Sequence, residues 1–199
     1  MILAILAMGA IVVASNVGVQ FLLADGWLTW GAFSYPLAFL VTDVVNRLHG
    51  PEKARKVVLA GFAVGLLCSL IGTRIEGDFG PLVTTRIALA SAVAFLTAQL
   101  IDVAAFSALR ARRWFVAPLV SSVVGSVVDT ALFFTLAFAA FLALPTAWGD
   151  VAWAQEPTAV GPLWVGLALA DWGVKIAVAL IALLPFRALT RKSAQSVAH

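Results

Sequence analysis

Six long apolar runs constrain what this chain can fold into. Each is close to, or longer than, the roughly 20 residues that an α-helix needs to cross a bilayer. The residues are 62% hydrophobic and only 12% charged, far from the usage of soluble domains. The sequence therefore predicts an all-α membrane protein in which residues 1–199 form one bundle of six transmembrane helices. The predicted spans are about 2–24, 27–46, 56–73, 86–109, 116–144 and 162–186.

The charges between these runs are divided unequally between the two sides of the membrane. Ten of the thirteen basic residues fall on the side of the termini: Arg47, Lys53, Arg55, Lys56, Arg110, Arg112, Arg113, Arg187, Arg191 and Lys192. The opposite side carries Arg74, Arg86 and the acids Asp25, Glu76, Asp78, Asp150 and Glu156. The positive-inside rule then places both termini in the cytoplasm. Because the bases form short clusters between apolar runs, they indicate topology and not nucleic-acid binding.

The second run carries an aspartate close to its cytoplasmic end. Asp43 precedes Arg47 by four residues, the order that suits an ion pair along a helix, so an interfacial salt bridge is one interpretation. Against it, a carboxylate in the last turn faces the negative end of the helix dipole. A polar site shared with other runs is the second interpretation.

The other runs favour a shared site, because each has polar residues on one helical face. The pairs and triplets are Asn16 with Gln20, Gln99 with Asp102, Ser122 and Ser126 with Asp129, and Asp171 with Lys175. Four aspartates and a lysine within membrane spans would cost on the order of 10 kcal/mol if left in lipid. We therefore expect a polar cavity between the helices. The alternative is a set of structural ion pairs, most simply Asp171 with Lys175.

The composition of this polar set indicates the kind of ligand. If Asp171 pairs with Lys175, then Asp43, Asp102 and Asp129 remain, which favours a cation or a ligand rich in hydrogen-bond donors. Tyr35 and Trp172 place flat apolar faces beside these groups and would suit a planar heterocycle. Pro36 removes one helical hydrogen bond and predicts either a hinge or a fixed kink.

The sequence contains none of four motifs that are typical of metalloproteases, α/β-hydrolases, P-loop NTPases and dinucleotide-binding enzymes. It lacks a zinc-protease HExxH, a nucleophile elbow, a P-loop and a dinucleotide fingerprint, and no cofactor is expected. An intramembrane aspartyl protease is the best enzyme alternative, but its Gly-x-Gly-Asp context is missing at Asp78. One cysteine, Cys68, and two histidines, His49 and His199, give no metal-ligating pattern.

An ordered set of short motifs between residues 15 and 175 resembles the queuosine-precursor transporter family, also called the vitamin uptake transporter family. The motifs are Ser15-Asn16 with Gln20, Thr29-Trp-Gly-Ala-Phe33 with Pro36, Thr42-Asp43, Gly50 with Ala54-Arg55, Arg86-Ile-Ala88, Gln99-x-x-Asp102, Arg110, Trp114 with Ala117-Pro118, Asp129-Thr130, and Asp171-x-x-x-Lys175. The resemblance implies a multi-pass protein of the bacterial inner membrane. It implies import of 7-cyano-7-deazaguanine or its aminomethyl analogue for queuosine salvage, without an ATPase module.

Carried onto this chain, the resemblance places eight residues around the base: Asn16, Gln20, Asp43, Gln99, Asp102, Asp129, Asp171 and Lys175. Asn46 is a further candidate, and the aromatic Tyr35 and Trp172 bring the predicted substrate-binding residues to eleven. Asp102 or Asp129 would accept from the donor edge of the base, and alternating access is the expected mechanism, with one carboxylate as a candidate proton carrier. The functional alternative is the substrate-binding component of an energy-coupling-factor importer for a vitamin-like molecule, docking an ATPase module through Ala10 and Ala14. Gly61 and Gly65 predict close helix packing within the bundle, with a homodimer as the second interpretation.

Overall fold

The computed structural model describes residues 1–77 and 80–195, and within them the chain is built from α-helices joined by loops, the longest of which runs from residue 139 to residue 162. Asp78 and His199, both considered above, lie outside the described residues. The helices are α1 (Ile2–Gly18), α2 (Trp30–Ser34), α3 (Leu37–His49), α4 (Pro51–Gly72), α5 (Thr85–Leu109), α6 (Val116–Phe138) and α7 (Leu163–Gln195).

Four of these helices, α4 to α7, are long and apolar enough to cross a membrane, and α1 is a shorter apolar helix. The all-α class of membrane protein predicted from the sequence is therefore confirmed. The second apolar run is divided between α2 and α3 and is not one continuous helix.

α1 ends at Gly18, six residues before the end of the predicted run. Its last turn packs directly on α2, since a Cβ on Gly18 would lie 2.8 Å from the backbone nitrogen of Gly31. The chain then reverses through Ala24 and Asp25, whose φ angles are 51° and 54°. The apolar residues at positions 22 and 23 belong to a β-hairpin. The first helix is therefore shorter than the apolar run that predicted it.

The break between α2 and α3 lies at Pro36. Thr29 caps α2 by accepting a hydrogen bond from the Ala32 N–H at 3.3 Å. Pro36 has no N–H to continue the helix, so a new helix begins at Leu37. α3 ends at Gly50, whose φ of 88° suits glycine, and Pro51 starts α4 at once.

α6 is also shorter than its apolar run, because it ends at Phe138 and not near residue 144. Its terminal carbonyls find donors from elsewhere in the chain. The Arg86 guanidinium donates to the carbonyls of Leu136 (2.8 Å) and Ala139 (2.5 Å), and the Gln155 amide donates to that of Phe138 (2.7 Å). These contacts tie the start of α5 and the following loop to the end of α6.

Each of three connections contains a two-stranded antiparallel hairpin: β1 (Leu22–Leu23) with β2 (Leu28–Thr29), β3 (Glu76–Gly77) with β4 (Gly80–Pro81), and β5 (Pro157–Thr158) with β6 (Gly161–Pro162). All three lie on connections that carry the acidic residues counted above. The hairpins satisfy backbone groups within the loops at that end of the bundle.

α3 occupies the centre of the bundle and packs against α1, α4, α5, α6 and α7. Its buried face carries Ala38, Thr42, Asp43, Val45 and Asn46, a mixture of small, apolar and polar side chains. The main apolar core joins α3 to α1, α4 and α5.

Gly61 belongs to this core, where a Cβ would lie 2.6 Å from Cγ of Met8. This glycine therefore allows α1 and α4 to approach inside the bundle, which is the first of the two roles that its motif predicted.

We predict that Arg86→Ala lowers the free energy of unfolding by about 1.5–3 kcal/mol, because buried carbonyls at the end of α6 lose their charged donor. Arg74→Ala, at an exposed position nearby in sequence, is the matched control and should leave stability near the wild-type value. Thermal unfolding of the detergent-purified variants measures both. Equal Tm values for the two variants would contradict the assignment of Arg86 as an anchor.

Candidate functional site

A cavity of about 530 Å³ lies between the helices and continues to the hairpin end of the bundle. This volume is in the range of small-molecule sites. Side chains from α1, α2, α4, α5, α6 and α7 line it, and loop residues Leu22, Trp27, Leu28, Leu82 and Trp153 line its outer end. Much of the wall is aromatic: Phe62, Phe95, Phe133, Phe134 and Phe138 contribute rings in addition to the two tryptophans.

The charged part of the wall is centred on Lys175 of α7. Its Nζ lies 2.6 Å from Asp129 Oδ2 on α6 and 2.5 Å from Asp171 Oδ2 one turn earlier on α7. It also donates to Thr130 Oγ1 at 3.0 Å. One ammonium thus pairs with both carboxylates. Ionised groups in a low-dielectric interior need such partners. With all three groups charged, the cluster carries a net charge of −1.

Tyr35 and Thr130 complete this cluster. The Tyr35 hydroxyl donates to Asp129 Oδ1 at 2.7 Å, and the Thr130 hydroxyl donates to Asp171 Oδ2 at 3.1 Å. Tyr35 lies in the gap between α2 and α3, so the break at Pro36 places this ring against the charged groups; Lys175 Nζ is 5.4 Å from the ring centre.

Asp171 is the more open of the two carboxylates. Its side chain is 16% exposed, compared with 6% for Asp129. Both oxygens of Asp129 accept hydrogen bonds, whereas among the described residues the donors to Asp171 all reach Oδ2. Oδ1 of Asp171 therefore keeps its acceptor capacity for a ligand in the cavity.

Asn16 and Gln20 line the cavity from the end of α1. The Asn16 amide donates to the Val12 carbonyl at 2.9 Å, which fixes its orientation, and the Gln20 amide donates to Leu82 O at 3.4 Å. Each side chain retains a carbonyl oxygen as an acceptor. These two residues add neutral polar groups to the wall, apart from the charged cluster of Lys175.

A second polar group lies deeper, between α3, α5 and α6, and does not line this cavity. The hydroxyls of Ser121 and Ser122 donate to the two oxygens of Asp43 at 3.1 and 3.3 Å. Asp102 of α5 lies beside this group, with its Cβ 3.3 Å from the position that a Cβ on Gly125 of α6 would take. Asp43 and Asp102 are 2% and 0% exposed, so neither carboxyl reaches solvent.

The remaining polar residues of α3 bind α5 through hydrogen bonds. Thr42 bonds Gln99 Oε1 at 2.7 Å, and the Asn46 amide donates to the Val103 carbonyl and to Ser107 Oγ at 3.1 and 3.2 Å.

Nearer the basic end, two arginines bond each other's backbone. Arg47 donates to the Arg110 carbonyl at 2.9 Å, and Arg110 donates to the Arg47 carbonyl at 2.7 Å. Together with the bonds of Thr42 and Asn46, these contacts close the bundle between the cavity and the basic end.

The polar residues predicted as one set thus divide between two places. Six of the eleven line the large cavity: Asn16, Gln20, Tyr35, Asp129, Asp171 and Lys175. Four belong to the deeper layer: Asp43, Asn46, Gln99 and Asp102. Trp172 lies in neither group, and its buried Nε1 has no partner among the described residues.

Of the two interpretations of Asp43, the salt bridge does not form, since Arg47 bonds Arg110 and the donors to Asp43 are serines. The Asp171–Lys175 pair does form, but Lys175 is shared with Asp129, so Asp129 is not the unpaired acid that the sequence suggested.

Sequence reasoning did not single out Ser121 or the cavity phenylalanines. Ser121 could have been found, because it shares the helical face of Gly125 and Asp129.

Comparison with known proteins gives a consistent result. Residues 29–190 match the protein-family model described as "Putative vitamin uptake transporter". A "Queuosine precursor transporter" of Escherichia coli (strain K12) is 34% identical over 169 residues, which cover 79% of this chain and 70% of that protein. A "Probable queuosine precursor transporter" of Haemophilus influenzae is 37% identical over 121 residues, covering 55% of this chain and 52% of the relative. No solved structure matches the chain.

We predict that Lys175→Met destabilises the protein by about 3–5 kcal/mol, because Asp129 and Asp171 lose the cation that balances them. Adding Asp171→Asn to this variant should restore part of the loss, since one of the two uncompensated charges is then removed. Lys56→Met, at an exposed position on α4, is the control. Thermal unfolding in detergent measures all three, and a Lys175→Met protein as stable as wild type would show that the cluster is not held by charge pairing.

Proposed function

The chain belongs to the vitamin uptake transporter family, as its motifs predicted, and from this premise we propose that it is an uptake transporter for queuosine precursors. The proposed substrates are 7-cyano-7-deazaguanine, 7-aminomethyl-7-deazaguanine or both, carried across the bacterial inner membrane. The relatives' names and the membrane-spanning helices support a multi-pass transporter. The choice of substrate depends on the chemistry of the cavity.

The observation that carries the proposal is the open Asp171 carboxylate within an aromatic-lined cavity. A 7-deazaguanine base presents neighbouring N–H donors on one edge, and Oδ1 of Asp171, whose lone pairs accept no hydrogen bond from the described residues, can accept from this edge. The faces of the base are flat and apolar, which suits the rings of Phe95, Phe133 and Phe134 on the wall. We assign Asp171 as the principal acceptor, with Asp129 and Lys175 holding it in place.

The same cluster suits both proposed substrates. The aminomethyl form carries a cation, which the net negative charge of Asp129, Lys175 and Asp171 would attract. The cyano form is neutral and would depend on the donor edge alone. We therefore expect the aminomethyl form to lose more affinity than the cyano form as ionic strength rises, because only its binding includes attraction to a net charge.

We propose six crossings with both termini in the cytoplasm, α2 and α3 together forming the second. Residues 30–49 contain twenty residues, enough for about 30 Å of helix. The acidic connections with their hairpins would then face outward, and the basic connections around Gly50 and Arg110 would face the cytoplasm. In this orientation the cavity extends toward the outside, and the deeper polar layer closes the cytoplasmic side.

Alternating access follows from this arrangement as the proposed mechanism. Release of the base into the cytoplasm requires α3 to separate from α5, which breaks the bonds of Thr42, Asn46 and Arg47. The break at Pro36 lies between α3 and the cavity wall of α2, so α3 could tilt without moving α2. We assign the Pro36 break as the hinge of this movement.

The alternative, a binding component for an ATP-driven importer, is supported by the exposure of Ala10 and Ala14 on α1. A complete transporter and a binding component differ in whether they need an ATPase module to move the base. Proteoliposomes containing only this chain should take up labelled 7-cyano-7-deazaguanine without ATP if it is a complete transporter. A binding component would bind the base at equilibrium but transport none of it.

We predict that Asp171→Asn weakens binding of 7-cyano-7-deazaguanine about 10- to 100-fold, because Lys175 and Thr130 would hold the amide oxygen at the Oδ2 position and the amide NH2 would then face the N–H donors of the base. Asp150→Asn, an exposed acid in the loop after α6, is the matched control and should keep wild-type affinity. Ligand-dependent thermal stabilisation of the purified proteins gives the apparent Kd. A folded wild-type protein that no deazapurine stabilises would overturn the substrate assignment.

A further inference from the structure

We propose that Asp43 and Asp102 form a proton-binding site in the wall between the substrate cavity and the cytoplasm, and that this proton is the ion whose gradient drives uptake. The proton-binding site is defined by these two carboxyls with Ser121 and Ser122. The role of this site in coupling the proton gradient to uptake rests on the proposed function above. The binding of a proton to the site does not depend on that function.

The two carboxyls are buried against each other. Asp102 is fully buried on α5, and Asp43, on α3, is 2% exposed. Both acids face the same part of α6, since Ser121 and Ser122 bond Asp43 and Asp102 lies against Gly125, one turn further along. Gly125 of α6 permits this approach, since a Cβ there would lie 3.3 Å from Cβ of Asp102. Three helices therefore meet at this pair of acids.

Asp102 shows why a proton is needed. Both of its carboxyl oxygens are buried and accept no hydrogen bond from any described residue. An ionised carboxylate in that position would be a buried charge without a donor, beside a second carboxylate of the same charge. One proton shared between Asp43 and Asp102 gives Asp102 a hydrogen bond and reduces the pair from two negative charges to one.

Among the described residues, no cation forms an ion pair with Asp43 or Asp102. On α3, Arg47 lies one turn toward the cytoplasm; its Nη1 bonds the Arg110 carbonyl, and its buried Nη2 has no partner among the described residues. From α6 the neighbours are the two serine hydroxyls, and from α7 they are Ala179, Ala182, Leu183 and Phe186. On the far side of α3, the core residues of α1 and α4 are apolar. Among the described residues, Lys175 makes the only ion pairs, and both are with Asp129 and Asp171.

A proton also fits the available space better than a metal ion. The small void beside Asp43 and Ser122 has a volume of about 10 Å³, room for roughly one water. Within the described residues, no group of three or more acid, histidine or cysteine side chains could hold a metal ion. The polar side chains that line this void are Asp43 and Ser122, so a single water there could exchange a proton with the Asp43 carboxyl.

The position of the pair links its charge to opening. Asp43 lies between Thr42, which bonds Gln99, and Asn46, which bonds Val103 and Ser107, along the same α3–α5 interface. When the proton leaves for cytoplasmic water, both carboxylates become charged and repel each other across this interface. Repulsion favours separation of α3 from α5, which is the movement that opens the cavity inward. The pair would take up this proton from the outer cavity before the bundle opens inward and release it to the cytoplasm, so proton and base would move in the same direction.

The proton can be observed without any substrate. Infrared spectra of the purified wild-type protein at neutral pH should contain a protonated-carboxyl C=O band that is lost in Asp43→Asn/Asp102→Asn. The exposed Asp25→Asn is the matched control and should leave the band unchanged. Circular dichroism establishes that each variant is folded. A band of equal intensity in wild type and the double variant would overturn the proposal.

Coupling is tested in proteoliposomes with labelled 7-cyano-7-deazaguanine. In wild type, an inward proton gradient should drive accumulation at least tenfold above equilibrium. Asp43→Asn and Asp102→Asn should still exchange external for internal base but accumulate none, because exchange does not require net proton movement. Variants that accumulate base like wild type, or wild-type accumulation driven by sodium and not by the proton gradient, would overturn the coupling role.

Failure of the two proposals would be distinguishable. A wild-type protein that neither binds nor exchanges any deazapurine would overturn the proposed substrate, while the infrared band would still report whether the carboxyl pair holds a proton. Normal exchange without the band would overturn the proton site and leave the proposed substrate standing.

Discussion

The structure depends on keeping ionisable groups stable inside an apolar bundle. Lys175 meets this requirement for Asp129 and Asp171, because one ammonium between two carboxylates leaves no member of the cluster unpaired. Removing the ammonium would leave two carboxylates without a cation in the low-dielectric interior, and removing both carboxylates would leave the ammonium without an anion. This interaction also joins α6 to α7 beside the cavity and, through Tyr35, reaches the break in the second apolar run. The ion pairs of Lys175 therefore both stabilise the bundle and form part of the candidate ligand-binding surface.

The central position of α3 explains how two polar groups can coexist in so small a protein. At its start, Pro36 separates it from α2 and leaves Tyr35 facing the charged cluster. Along its buried face, Thr42, Asp43 and Asn46 bond α5 and α6 and separate the cavity from the basic end of the bundle. The start of this helix thus follows Tyr35, a residue of the cavity wall, and the rest of its length closes the opposite side. Movement of that helix would change access on the side that is now closed.

The sequence predicted the helical bundle and the family, because apolar run length and an ordered set of motifs are local properties of the chain. It also predicted the Asp171–Lys175 pair, which depends only on helical spacing. The division of polar residues into two groups was not predictable in this way. Asp102 and Asp129 look equivalent as aspartates within apolar runs. Only the packing of α6 against α7 brings Asp129 to Lys175, and only that of α5 against α3 places Asp102 in the layer of Asp43. The early end of α1 depends similarly on the contact of Gly18 with Gly31.

The most direct test of this account is an experimental structure of the protein with 7-cyano-7-deazaguanine bound. We predict that the donor edge of the base lies within hydrogen-bond distance of Asp171, with its ring between the cavity phenylalanines and with Asp43 and Asp102 still in contact behind it. A base bound against Asp102 in the deeper layer, or outside the bundle on the hairpin loops, would contradict the account.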